Sequence, residues 1–308
     1  GSEMCIRDSF EEAEAQKENS RLIARGRGIA SMGLTEYDQA VQYFTEALEL
    51  SDGWVQNVDY DMNYYLAAAY RKNGQPAEAK KVYDAILGLK PEEKDAYFLR
   101  GSAELELGDY ESAKADFDKA ISMDPKNYDR LIEIYEALAD YGYREVGQEY
   151  LQNVLNTDKK LDAYDSGRIY YYLGDYQKAY LALEEAKGKG GVDSYLYLGK
   201  AYAATGDYNY ASSVYSNYLS KQGPDAEIYN QLGLCELAKK DYQKALEAFQ
   251  AGKQIEGNSL MQTLSFNEIV AYEYLQDYQK AAVLLKAYLQ NYPDDQAAIR
   301  EQQFLSTR

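Results

Sequence analysis

Arg168 and Lys200 stand 32 residues apart, with Tyr164 and Tyr171 close to the first of them in the chain. A guanidinium and an ammonium flanked by aromatic rings can hold a carboxylate, either an acidic side chain or a chain terminus. The alternative is that both cations pair with nearby acids, for example Asp165 and Asp193, and that is the preferred reading because such pairs are common on helical surfaces. Other chemistry is scarce. The 308 residues contain no histidine, which removes His-based triads and His metal sites. Carboxylates are frequent, but they recur every few positions, as on a solvated helix face. Asp294 and Asp295, after Pro293, read as a helix N-cap rather than a metal site. Lys187–Gly191, KGKGG, marks a mobile loop and lacks the strand and the GxxxxGK[ST] spacing of a phosphate cradle. The chain is therefore read as a non-enzyme without cofactor or metal.

The elements that would position these side chains repeat along the chain. The stretch 173–186, LGDYQKAYLALEEA, places Ala179, Leu183 and Ala186 on one face of a helix that starts just after a glycine turn. Small residues equivalent to Ala179 are Ala40, Ala79, Ala113, Gly147, Ala211, Ala245 and Ala281, at successive spacings of 39, 34, 34, 32, 32, 34 and 36 when Ala179 is included. These eight are the anchors of eight repeats. Three residues before most anchors stands a tyrosine, such as Tyr110, Tyr176 or Tyr208. Four residues after it stands a large residue, such as Phe44, Tyr83 or Phe117. Twelve before it comes a small residue in most copies, including Gly28, Gly101, Gly199 and Gly233. Proline ends the unit at Pro91, Pro125 and Pro293. Two short amphipathic helices per unit, each carrying a small residue, allow close backbone approach, and a large neighbour fills the space beside them. One such unit cannot bury both its faces, so it must stack on the next.

This pattern resembles the tetratricopeptide repeat (TPR) family, over residues 21–293, with repeats starting near 21, 60, 94, 128, 160, 192, 226 and 262. The resemblance implies an all-α, right-handed superhelical solenoid of helix-turn-helix repeats, followed by a C-terminal capping helix within 294–308. Repeat 4 departs most, with Tyr135 at a small position and Gly147 at the anchor. Together with Gly142 it is expected to be a soft joint. Repeat 8 carries Ile269 at its small position.

In such a solenoid, as the resemblance implies, first helices face a concave groove at offsets of 15, 11 and 8 before the anchor. The groove residues singled out are Arg25, Tyr64, Arg71, Phe98, Tyr164, Arg168, Tyr171, Leu196, Lys200 and Asn230, with Ala68 between Tyr64 and Arg71. That face is more apolar and less acidic than the chain as a whole. Some family members hold a C-terminal carboxylate through Lys, Asn and Arg at fixed groove positions. Only Arg25 matches here and the asparagines are missing, which disfavours chaperone-tail binding.

Composition bounds the partner. The net charge of −18 argues against nucleic acid and anionic membrane surfaces, and no apolar run is long enough to span a bilayer. The expected partner is a protein or peptide, and the chain is expected to be a monomer. The function expected is an interaction scaffold; the alternative is an extracytoplasmic carrier holding a small ligand or glycan on the aromatic groove. End-to-end self-assembly is a third possibility, against which the capping helix speaks. The 34 tyrosines and 2 cysteines give a style that resembles TPR proteins of Gram-positive gut bacteria, many of them secreted lipoproteins. The compartment is thus either cytoplasmic or extracytoplasmic, the latter with a signal segment missing.

Residues 1–20 are set apart. Gly1-Ser2 reads as an expression scar, 3–9 (EMCIRDS) resembles a translated sequencing-adaptor end and is expected to be non-native, and 10–20 reads as a lead-in helix. Cys235 is expected to be a small buried packing residue. The longer connection at 51–60 carries Trp54, read as a ring pinning an inter-repeat loop in preference to a binding loop.

Overall fold

The structure, a computed structural model, describes residues 20–51 and 57–307. Trp54 and the segment before residue 20 lie outside the described residues. Among the described residues all regular structure is α-helical. The helices are α1 Ser20–Gly33, α2 Tyr37–Glu49, α3 Asn57–Lys72, α4 Pro76–Leu89, α5 Lys94–Glu106, α6 Tyr110–Met123, α7 Tyr128–Asp140, α8 Arg144–Thr157, α9 Ala163–Tyr172, α10 Tyr176–Glu185, α11 Val192–Ala204, α12 Tyr208–Lys221, α13 Ala226–Ala238, α14 Tyr242–Lys253, α15 Met261–Tyr274, α16 Tyr278–Asn291 and α17 Gln296–Leu305. Consecutive helices pair as helix-turn-helix units, an all-α repeat solenoid. The chain divides into two compact units, Gly1–Leu151 and Gln152–Arg308.

The turn inside each repeat explains the Gly-Asp-Tyr signal. Five residues before the anchor the backbone is left-handed in all eight copies: Gly74, Gly108, Gly142, Gly174 and Gly206 supply it, and Thr35, Lys240 and Gln276 adopt it at φ 60°, 65° and 63°. Gly142 is therefore a regular turn residue and not an added loosening of repeat 4. The following aspartate caps the second helix. Asp109, Asp175, Asp207, Asp241 and Asp277 each accept from the backbone N–H three residues on, at 3.2, 3.2, 3.0, 3.4 and 3.0 Å, satisfying a donor that the helix start leaves open, worth about 1 kcal/mol each.

The small residues twelve before the anchor are needed because of the large residue four after it. That large residue comes from the second helix of the same repeat. A Cβ on Gly28 would lie 2.6 Å from the ring of Phe44, and one on Gly233 2.3 Å from the ring of Phe249. Phe44, Phe117, Tyr215 and Phe249 are fully buried by this contact. Repeat 4 obeys the same rule with the sizes exchanged. Tyr135 occupies the small position, and its ring lies 2.9 Å from where a Gly147 Cβ would be. Arg144 donates to the Tyr135 hydroxyl at 2.8 Å. Tyr135 and Gly147 are thus packed tightly against one another, while the boundary between the two compact units falls a few residues later, after Leu151.

In the second unit, α17 is capped by Asp295, which accepts from the N–H groups of Ala297 and Ala298 at 2.9 and 3.1 Å. Ala298 and Leu305 pack with Ile269, Leu285 and Tyr288. The glycine-rich loop after α10 carries local hydrogen bonds and a close ring contact. Ser194 Oγ accepts from the Gly188 N–H at 3.1 Å and donates to the Gly191 carbonyl at 2.9 Å. Gly190 lies so close to the Tyr164 ring that a Cβ there would sit 2.5 Å from it.

Candidate functional site

In the first unit the expected groove residues lie on α1, α3 and α5, and their charges are met by the adjoining repeat. Arg25 donates through Nε to Asp61 at 3.1 Å and lies over the Tyr65 ring, 5.7 Å from its centroid. Arg71 donates through Nε to Glu106 at 2.9 Å. Phe98 is covered by the Arg130 guanidinium at 4.0 Å and packs on Phe117 at 6.1 Å, while Arg130 pairs with Asp95 at 2.8 Å. A carboxylate recurs in the sequence eighteen residues before five of the anchors, at Asp61, Asp95, Asp129, Asp193 and Glu227. Asp61, Asp95 and Glu227 each receive a cation from the first helix of a neighbouring repeat.

Between the second and third repeats this face opens into a recess of 450 Å³ lined by Tyr64, Ala68, Arg71, Lys72, Tyr83, Leu99 and Glu106. Tyr64, Ala68 and Arg71 are the three groove positions expected of the second repeat. The rings of Tyr64 and Tyr83 lie 6.3 Å apart. Burial pushes the Tyr83 phenol up to about 12, against the opposing pull of Arg71. Burial, followed by the charges of Glu93 and Asp95, raises Tyr64 as well, so its hydroxyl stays protonated. That hydroxyl is buried and has no hydrogen-bond partner.

In the second unit, the residues suggested by charge are drawn into the packing. Arg168 is 7% exposed, pairs with Asp165 at 2.5 Å and lies 4.4 Å over the Tyr164 ring. Lys200 meets Glu227 at 3.5 Å, on the next repeat, and not Asp193. Arg168 and Tyr164 thus belong to the scaffold's own packing, whereas the Lys200 side chain remains 32% exposed beside Glu227. Leu196 is 9% exposed, and Asn230, 6% exposed, accepts from Asn267 at 2.8 Å. Tyr171 belongs to a ring cluster with Tyr172, Tyr176 and Tyr197, at 5.4, 5.7 and 5.6 Å.

Lys72, Tyr83, Leu99 and Glu106 were not among the expected site residues. Glu106 lies 35 residues after Arg71, close to the separation of 36 between Arg25 and Asp61, a spacing that could have pointed to it. Lys72 simply adjoins Arg71. Tyr83 was read only as the large residue of its repeat. Among the described residues, no group of three or more His, Cys, Asp or Glu side chains could hold a metal ion. Nor is any helix long and apolar enough to cross a membrane.

Comparisons with known proteins agree with this architecture. A family model described as Tetratricopeptide repeat matches residues 25–91, 64–128 and 196–259, and a second such model matches 266–295. The chain belongs to the tetratricopeptide repeat family. It is 30% identical over 105 residues to the "Hsp70-Hsp90 organizing protein" of Triticum aestivum, covering 34% of this chain and 17% of that protein. It is 32% identical over 126 residues to the "FK506-binding protein-like" protein of Homo sapiens, covering 39% of this chain and 36% of that protein. The chain thus spans well under half the length of these curated relatives. A tetratricopeptide repeat protein from Parabacteroides merdae superimposes with a TM-score of 0.51 at 15% identity, covering 82% of this chain and 98% of that one, a likeness of fold.

Proposed function

We propose that the chain is a non-enzymatic protein-interaction scaffold that holds a segment of another protein on its first-helix face. The observation that supports this most is the recess at Tyr64, Ala68 and Arg71, residues at the three groove offsets that the family resemblance implies. Family membership supports an interaction role, and one relative's name, organizing protein, describes such a role for that relative. The residue inventory supports the non-enzymatic reading: the sequence has no histidine, and the buried Cys235 thiol is pushed by its surroundings up to about 12.

The test is a selection of random dodecapeptides displayed on phage, followed by hydrogen exchange with an enriched peptide. Protection concentrated on α3, α5 and the other first helices supports the reading. Protection confined to second helices, or a selection without enrichment, overturns it. The carrier reading draws on the same two rings, Tyr64 and Tyr83. Binding on a glycan array that is lost in Ala68→Trp would favour it.

A further inference from the structure

The helix α17 is held to the eighth repeat by few side chains. It is ten residues long, too short to persist on its own, and of its residues Ala298 and Leu305 are the buried ones. Both belong to one apolar cluster with Ile269 of α15 and Leu285 of α16. Glu273 follows Ile269 by one helical turn, and Glu301 lies between Ala298 and Leu305 on the same stripe of α17. The register therefore brings the two carboxyls to one seam, and their side chains are hydrogen-bonded to each other there.

Two carboxyls in contact need a proton between them, because a carboxylate can only accept. The surroundings supply no substitute for that proton. Glu273 Oε1 is shut off from solvent and meets no donor among the described residues. On α14, Lys244 and Lys253 are taken by Asp241 and Glu268. The charged groups of α16 and α17 are Lys280, Lys286, Arg300 and Glu301, and of these Glu301 is the one that acts on Glu273. Burial, followed by the charge and hydrogen bond of Glu301, pushes the Glu273 carboxyl up to about 7. Once α17 lifts away, the same carboxyl meets water and ionises near its ordinary value of 4.5. The hold on α17 is thus complete below that lower value and is lost as pH rises through about 7.

We propose that Glu273 and Glu301 form an acid-dependent clasp: a shared proton holds α17 against α15, and its loss lets α17 lift from Ile269, Leu285 and Tyr288. The device is independent of the groove reading, since α15 and α17 carry none of the groove residues singled out above. It makes coverage of the eighth repeat's apolar face a function of pH.

The experiment follows hydrogen exchange of the α17 amides in the whole chain at pH 5, 6, 7 and 8. Rates are expressed as protection factors, which removes the intrinsic pH dependence of exchange, and α13 serves as the internal reference. Relative to α13, protection in α17 should fall at least about tenfold between pH 5 and pH 8. Glu273→Gln places a permanent donor beside Glu301 and should keep the pH 5 level of protection throughout. Glu301→Lys replaces the shared proton with an ion pair and should leave α17 at least as protected at pH 8 as at pH 5. This second variant alters the half-buried partner, so the outcome does not depend on glutamine being accommodated at position 273. Wild-type protection in α17 that is independent of pH, or absent already at pH 5, overturns the proposal. So does a fall of equal size in the wild type and both variants.

Discussion

Tyr135 and Gly147 exchange the sizes that their positions carry in the other repeats: the large ring sits where a small residue is usual, and the anchor has shrunk to glycine beneath it. The contact is complementary, with a prospective Cβ on Gly147 held at 2.9 Å from the ring and 3.1 Å from the Tyr135 Cα. Gly147→Ala, although it restores the usual anchor, should destabilise the protein by about 1–3 kcal/mol through overpacking. Combining it with Tyr135→Ala should cost less than the sum of the two single changes. Denaturant unfolding of the three variants checks this, and strict additivity would refute the coupling.

Glu104 on α5 is buried, and that burial pushes its carboxyl up to about 7, with Asp116 adding to the effect and Arg100 and Lys80 opposing it. Lys80 Nζ stands 3.6 Å away. The folded state therefore binds this proton more tightly than the unfolded chain, whose carboxyl ionises near 4.5. The stabilising contribution of the protonated carboxyl is complete below that lower value and is lost as pH rises through about 7. Glu104→Gln should flatten the fall of Tm between about pH 5 and pH 8 and raise Tm at the alkaline end by a few degrees. Melting curves across that range decide it; an unchanged pH slope would show that Glu104 titrates normally.

Thr35 holds φ at 60° in the turn position that glycine fills in five of the repeats. A β-branched residue is strained there, and Thr35→Gly should stabilise the protein by about 1 kcal/mol. The parallel change Gly108→Thr should lose a similar amount. A midpoint shift in urea in the opposite direction for either variant would count against the strain argument.

Cys235 is 3% exposed and packs with Tyr215, Leu198 and Ile228. In a Cys5→Ser background, its reaction with a disulfide reagent at neutral pH should be orders of magnitude slower in the native protein than in denaturant. Rapid native labelling would mean that α13 opens readily.

The repeat frame was legible because it is written in residue sizes at fixed offsets. Gly28 against Phe44 and Gly233 against Phe249 need no information beyond one unit. Side-chain partnership was less legible, since it depends on how one first helix meets the next. Lys200 was expected beside Asp193 on its own helix, yet the adjoining repeat brings Glu227 to it. Exposure was also hidden. Leu196 and Asn230 carry groove offsets but are covered, whereas the equivalent Tyr64 and the more distant Glu106 line an opening. In repeat 4 each odd residue looks like a defect alone, and only their contact shows that the two sizes compensate.

The carboxylates eighteen residues before the anchors have a bearing on how such an array changes over generations. Asp61 and Asp95 are equivalent positions in consecutive repeats, and each already accepts a cation from a neighbour, Arg25 and Arg130 respectively. A gene event that removed or copied a whole repeat would present an acid at the same position only where the new neighbour is repeat 2, 3, 4, 6 or 7, since repeats 1, 5 and 8 carry Leu22, Leu161 and Thr263 there. The joins thus share their acids but not their cations, and because these pairs are partly exposed a shuffled repeat would leave its charges to water, while the recess at Tyr64, built from two repeats, persists only where both are inherited together.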